Sequence, residues 1–308
     1  VSARRAWWTL AQVALGVAVV GLAVRSLARN WDLLQAQPLH WDLSPAWLVL
    51  ALATVWLAYA LLVEAWRRVV TGMRQGLGYV DAARICMLAN LGRYVPGKVW
   101  SIAGTAMLSR RAGVDASAAV ASAFVLQALS LASAVVVLAV LAPTTLAAVS
   151  GPLAAATIGL GCVAGAGVLL LTSERALATI RRLVPVVPSG VSPVPLGTML
   201  LAFAANVVAW GAYGFALQSL ARGLTGEPHL TWLQATAVFT ASYVVGLVAV
   251  FAPAGVGPRE SVMVLLLQGP MGPKVALALA IAARVLWTVA ELGAALPFLV
   301  QGARRNSR

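Results

Sequence analysis

Residues 92–101 read GRYVPGKVWS. Two cations (Arg93 and Lys98), a proline and two glycines interrupt a chain that is apolar on both sides. The flanking arms, AARICMLANLGR (82–93) and KVWSIAGTAMLS (98–109), hold 12 residues each. As helices each would reach about 18 Å, short of the ~30 Å hydrocarbon core of a bilayer. YVPG between them breaks a helix, because proline lacks an N–H and pushes the residue before it out of the α region. The economical reading is a re-entrant hairpin that enters a membrane and returns.

The rest of the chain supports a membrane. Of 308 residues, 61% are hydrophobic and 10% charged, against roughly 25% charged in soluble domains. Mean hydropathy is +0.90. Runs such as LAQVALGVAVVGLAV (10–24) and VVVLAVLAPTTLAAV (135–149) are too long and apolar for a soluble core. They are continuous rather than alternating, which argues against a barrel. The fold class is therefore an all-α polytopic membrane protein. The net charge of +13 fits the excess of Lys and Arg in cytoplasmic loops, and no nucleic-acid motif accompanies it. Cys86 and Cys162 lie in apolar segments without CxxC spacing and read as small hydrophobes. The N-terminal segment after Arg4 and Arg5 reads as an uncleaved first span.

Six spans are expected, near 7–24, 46–63, 116–141, 152–172, 196–220 and 274–300. A second broken apolar region covers 231–270, with APAGVGPRE at its break. Its second arm is also short, whereas its first arm is long enough to cross fully. With the N-terminus in the cytoplasm, 14 of the 22 Lys and Arg residues fall inside, 4 outside, and 4 (Arg93, Lys98, Arg259, Arg284) within apolar segments. This bias places both termini in the cytoplasm. The order of span, span, hairpin, span then occurs twice with opposite starting sides. That is an inverted repeat, a plan in which sites form where broken helices from the two halves meet. The chain reads as one transmembrane domain, 1–308, with repeats at 1–145 and 146–308.

A helix that starts inside a membrane offers unpaired N–H groups and a positive dipole end. The second arms start near Lys98 and near Pro258–Arg259, and proline suits a first helical position. Each break thus offers donors and a cation, which suits an anion such as phosphate. Arg93 is placed to reach orphan carbonyls at the end of its arm. In ARVLWTVAE, Arg284 and Glu291 are seven residues apart and share a helix face. The candidate anion or lipid site is Arg93, Lys98, Arg259, Glu260, Arg284 and Glu291, with a net charge of +2. Plainer readings stand beside it. Arg93 and Lys98 could snorkel to the interface, Arg259–Glu260 could be a loop pair, and Arg284 and Glu291 could form a structural clasp. Gln127 and Asn206 read as interhelical hydrogen bonders, and His40 and His229 are assigned no role.

The segments NLGRYVPGKVWSIAGTAMLSRRAGV, FAPAGVGPRESVMVLLL and ARVLWTVAE, with VEAWRRVV after the second span, resemble the lysylphosphatidylglycerol synthase transmembrane region, a flippase-like family. The resemblance covers nearly the whole chain. It implies movement of a charged lipid between leaflets, either an aminoacylated phospholipid or a polyprenyl-phosphate-linked sugar. The chain departs from the family pattern in having GKVW where Gly-Asp is common, and Gln127 where many members carry an acid.

The expected function is a lipid flippase or transporter in the cytoplasmic membrane. It would act on an anionic or zwitterionic lipid, without cofactor, metal or catalytic residue. The alternatives are a lipid-modifying enzyme of glycosyltransferase type and a non-transporting partner of a separate synthase. The nine carboxylates never form a close pair, and no DxD or His–His spacing occurs, which weighs against an enzyme. No G-x-x-x-x-G-K-[ST] loop is present. A homo-oligomer is compatible with this reading, and nucleic acid is not an expected partner.

Overall fold

The computed structural model describes residues 42–94, 99–145, 192–227, 230–249 and 255–306, together with isolated positions between 159 and 178. Every extended element among the described residues is a helix: α1 (Pro45–Gly72), α2 (Tyr79–Asn90), a 3-10 turn (Leu91–Tyr94), α3 (Val99–Arg111), α4 (Ala116–Thr145), α5 (Leu196–Thr225), α6 (Trp232–Val248) and α7 (Pro258–Asn306). Four are long and apolar enough to cross a membrane: α1, α4, α5 and α7. They contain the expected spans at 46–63, 116–141, 196–220 and 274–300. The expected span at 7–24 lies outside the described residues, 152–172 is described only at isolated positions, and residue 146 on the far side of the repeat junction is not described.

The helix ends follow local chemistry. Pro45 opens α1. Asp115 caps α4, its Oδ1 accepting from the N–H groups of Ser117 at 2.9 Å and Ala118 at 3.0 Å. Thr231 and Gln234 form a reciprocal capping box on α6. At Gly226 (φ 71°), α5 ends in a left-handed turn whose N–H reaches the Arg222 carbonyl at 2.9 Å.

α1 and α5 make the most extensive helix pair, and α5 also packs on α6. At Gly214 of α5 the approach to α6 is so close that a Cβ would collide with the backbone of Thr236. Small residues permit such crossings. Tryptophans fasten other helices by single bonds: Trp56 Nε1 donates to the Ala290 carbonyl (3.0 Å), Trp66 Nε1 to Ser122 Oγ (3.0 Å) and Trp210 Nε1 to Ser133 Oγ (3.0 Å). Asn206, expected to bond across helices, donates instead among the described residues to Ala202 O at 2.8 Å, one turn back in its own helix.

α2 and α3 lie side by side and run antiparallel. A Cβ on Gly92 would stand 2.7 Å from Ser101 N, and one on Gly104 would stand 3.4 Å from Ala89 Cα. The chain also turns back between α6 and α7. Gly246 packs against Gly255 and the Cβ of Arg259, and Gly255 and Gly257 adopt φ of 71° and 94°, which only glycine takes without strain. α7 opens at Pro258, as expected, and then holds a break at Gly272 (φ 76°, ψ 157°) between two helical arms. The first arm, 258–271, is about 21 Å long at 1.5 Å per residue.

Candidate functional site

The second arm of α7 carries Arg284, Thr288 and Glu291 on one face, with Trp287 beside them. Sequence spacing places Arg284 and Glu291 on that common face, and the plainer reading of them is a structural clasp between helices. Seven residues of helix separate them by about 10 Å along the axis, too far to pair directly, and each reaches a different break.

Glu291, 6% exposed, accepts from Arg93 Nη1 at 2.8 Å. Its other oxygen accepts from the Tyr94 hydroxyl at 2.5 Å. Arg93 also donates to Asn90 Oδ1, and Tyr94 OH lies 3.5 Å from Thr288 Oγ1. Arg93 therefore satisfies side-chain acceptors, rather than the orphan carbonyls at the end of α2 that its position suggests. Tyr94 and Asn90 were not among the expected site residues. Tyr94 reads as part of a helix-breaking quartet, and only the turn that brings it beside α7 reveals its role.

At the other break, Arg284 Nη1 stands 3.5 Å from Glu260 Oε1. Glu260 Oε2 accepts from the Gly257 N–H at 2.7 Å. This is half of a capping box: an acid in the first turn returns to the N-cap donor.

Arg259 sits between these pairs, half-buried, on an aromatic platform. Its guanidinium carbon lies 4.7 Å from the Phe239 ring centroid, 5.7 Å from Trp287 and 5.8 Å from Tyr243. Trp287 stacks on Phe239 at 4.6 Å, and Tyr213 lies 5.1 Å from Phe239. Trp210 and Tyr59 extend the cluster edge-on. The rings come from α1, α5, α6 and α7. Aromatic faces stabilise a cation without neutralising it. No carboxylate among the described residues lies within ion-pair distance of Arg259. The buried Trp287 Nε1 and Tyr59 OH have no hydrogen-bond partner among the described residues. The Tyr59 hydroxyl is within electrostatic reach of Arg93, Arg259 and Glu291.

Five of the six expected site residues thus gather in one region: Arg93, Arg259, Glu260, Arg284 and Glu291. Lys98 lies outside the described residues. Their arrangement is two carboxylates each held by an arginine, and a third arginine with no carboxylate among the described residues within ion-pair distance. No group of His, Cys, Asp or Glu suited to a metal occurs among the described residues.

A family model of the lysylphosphatidylglycerol synthase TM region matches residues 10–293. The chain belongs to this family. The match takes in both breaks and the face of α7 that joins them, so the site lies within the family's shared region. No curated protein matches the chain.

Proposed function

We propose that this protein moves a phosphate-bearing lipid, or a lipid-linked sugar, between the leaflets of the cytoplasmic membrane. The observation that carries this reading is the join made by α7. Glu291 holds the first break through Arg93 and Tyr94, Arg284 holds the second through Glu260, and Arg259 lies on aromatic rings with no carboxylate among the described residues within ion-pair distance. Ionisable residues in apolar helices are costly and tend to mark paths for charged cargo. A phosphate entering here would meet Arg259 and could draw Arg93 or Arg284 from its carboxylate. Exchange of internal ion pairs for substrate pairs is a direct way to couple occupancy to movement of the two breaks.

In this reading α2 with α3, and α6 with the first arm of α7, are re-entrant hairpins related by an inverted repeat. Both termini are cytoplasmic, and the protein carries out no covalent chemistry. The family name allows for a separate lipid synthase as partner.

Purified protein in liposomes containing a fluorescent phosphatidylglycerol tests the proposal. Protein-dependent loss of leaflet protection from an impermeant quencher is expected, reduced in Arg259→Ala. Leaflet exchange no faster than in protein-free vesicles, for phosphatidylglycerol and for a polyprenyl-phosphate sugar alike, would overturn it.

A further inference from the structure

We infer that a cavity between the last turns of α1 and the first turn of α5 seats the phosphate of an anionic lipid, which stays with the protein as a resident of the bilayer and is not its cargo. Arg67 and Arg68, in the AWRRVV stretch at the end of α1, carry this inference. None of the residues at the two breaks takes part. Trp56 of α1 bonds to the Ala290 carbonyl beside those breaks. Arg67 lies 11 residues further along α1, about 17 Å down the axis.

α1 and α5 lie antiparallel over most of their length. A Cβ on Gly223, near the end of α5, would meet Leu48 at the start of α1, and one on Gly72, at the other end of α1, would meet Val194 and Pro195. Beside this second contact the two helices leave a cavity of about 590 Å³. Arg67, Arg68 and Thr71 line it from α1, and Gly197, Thr198 and Leu201 from α5. Space is open at Gly197, where an added Cβ would meet nothing within 4 Å. Arg67 gives Nε and Nη2 to Glu64, and Arg68 gives Nε, all at 2.7 Å. Glu64 itself does not line the cavity. A guanidinium carries five N–H donors, so these bonds leave further donors on both arginines, and the three groups together keep a net charge of +1. The shared carboxylate also holds the pair in one geometry, which reduces the ordering cost when an anion binds.

The surroundings favour a lipid over a free anion. Leu57 and Leu50 lie 11 and 18 residues before Arg68, close to whole helical turns, so all three share one face of α1. Leu201 and Val208, 7 residues apart, share a face of α5 in the same way. These four apolar side chains are exposed, so an apolar strip on each helix leads away from the cavity. Charge at one end and an exposed apolar strip beyond it match a phosphate head with its acyl chains. In the topology proposed above, this end of α1 is cytoplasmic, the side on which anionic lipids attract juxtamembrane arginines. Pro195 at the N-cap of α5 offers no side-chain acceptor to the first-turn N–H groups, and those donors add to the pull of the arginines. A zwitterionic lipid has the same phosphate but brings an ammonium group towards the arginines, which weakens its attraction.

The test places a fluorophore beside the cavity. In full-length protein with Cys86 and Cys162 replaced, Leu200→Cys, at an exposed neighbour of Leu201, is labelled with bimane. The protein is then titrated in detergent with nitroxide-chain phosphatidylglycerol or phosphatidylcholine. Phosphatidylglycerol is expected to quench at roughly fivefold lower concentration, the scale of one net charge near a lipid surface. Arg67→Gln with Arg68→Gln should remove that preference. Gly197→Leu, which fills the cavity and leaves the charges in place, should remove it as well, and serves even if the arginine variant does not fold. Arg259→Ala should leave the preference intact while it slows lipid movement. Equal quenching by the two lipids, or a preference that survives in both the arginine and the Gly197 variants, would overturn the inference. Loss of the preference in Arg259→Ala would overturn it too, by placing the lipid at the breaks and leaving the transport reading in place. Its loss in millimolar inorganic phosphate at matched ionic strength would make the cavity a site for a free anion and overturn the assignment to lipid.

Discussion

Arg93 and Glu291 are 198 positions apart in the chain and meet at 2.8 Å, joining the turn after α2 to the second arm of α7. A mostly buried carboxylate left without its cation is expensive. Breaking such a pair costs about 3–5 kcal/mol, whereas removing both charges is often close to neutral. Arg93→Leu should therefore lower the melting temperature clearly, and Arg93→Leu with Glu291→Leu should recover much of the loss. Thermal melts of the two single variants and the double variant make the cycle. A double variant less stable than either single would show that the contact is not the source of the cost. In the proteoliposome assay all three should be slow, because the pair also holds the first break to α7.

Arg259 allows a sharper separation of charge from shape. Arg259→Ala should reduce lipid movement at least about tenfold, the value of a lost charged hydrogen bond, while folded protein is retained in detergent. Arg259→Lys keeps the charge but loses the planar contact with Phe239, Tyr243 and Trp287, and should fall between the two. Lys98→Ala, at the other break, should also slow movement. Wild-type rates for Lys98→Ala and Arg259→Ala together would favour simple interfacial charges.

Much of this arrangement is legible in the residues. Pro and Gly within apolar runs mark both breaks, and Pro258 marks the start of α7. Ionisable residues are so scarce in these segments that Arg93, Arg259, Glu260, Arg284 and Glu291 stand out as a group. Their pairing is not legible. A seven-residue spacing says that Arg284 and Glu291 face one way, but not what lies opposite, and the two breaks supply different partners. The aromatic platform is hidden for a related reason. Phe239 and Tyr243 are one turn apart on α6, and Trp287 lies between Arg284 and Glu291, so each looks like ordinary apolar filling. Only the packing of α6 against α7 brings these three rings beside one guanidinium.

The crossing of α5 and α6 makes a stability prediction independent of the site. Gly214→Ala places a methyl against the backbone of Thr236, and trimming the Thr236 side chain cannot relieve a clash with its main chain. A loss of about 1–3 kcal/mol is expected, the usual cost of overpacking. Gly197→Ala, with nothing within 4 Å of the added methyl, serves as control and should be neutral or mildly stabilising. Thermal melts that do not separate the two variants would show that the helices shift apart freely.

Asp115 gives a pH signature. Hydrogen bonds from the Ser117 side chain, and then from backbone N–H groups, hold its carboxyl below the usual carboxylate range. A depressed folded-state pKa means the cap contributes fully above the unfolded value of about 3.9 and is lost as pH falls through the folded one. Asp115→Ala should therefore melt earlier than the parent at neutral pH, and the gap should narrow below about pH 4. A gap unchanged down to pH 2, well below the reference carboxylate value of about 3.9, would show that the carboxylate charge is not what stabilises the start of α4.

The re-entrant reading depends on which side of the membrane each connection faces, and single cysteines decide it. In a protein with Cys86 and Cys162 replaced, Ala112→Cys between α3 and α4 should react only with reagent applied from the cytoplasmic side. The same is expected of Gly190→Cys. Glu227→Cys, just past the end of α5, should react only from the opposite side. The 12 residues of α2 and 13 of α3 would each have to thin a bilayer whose core is about 30 Å thick to cross it, whereas as antiparallel arms they can enter and return. If Ala112→Cys reacts from outside instead, α2 and α3 lie on a crossing path. The two halves then no longer have opposite orientation, and Arg93 would approach Glu291 from a segment that spans rather than from a re-entrant tip.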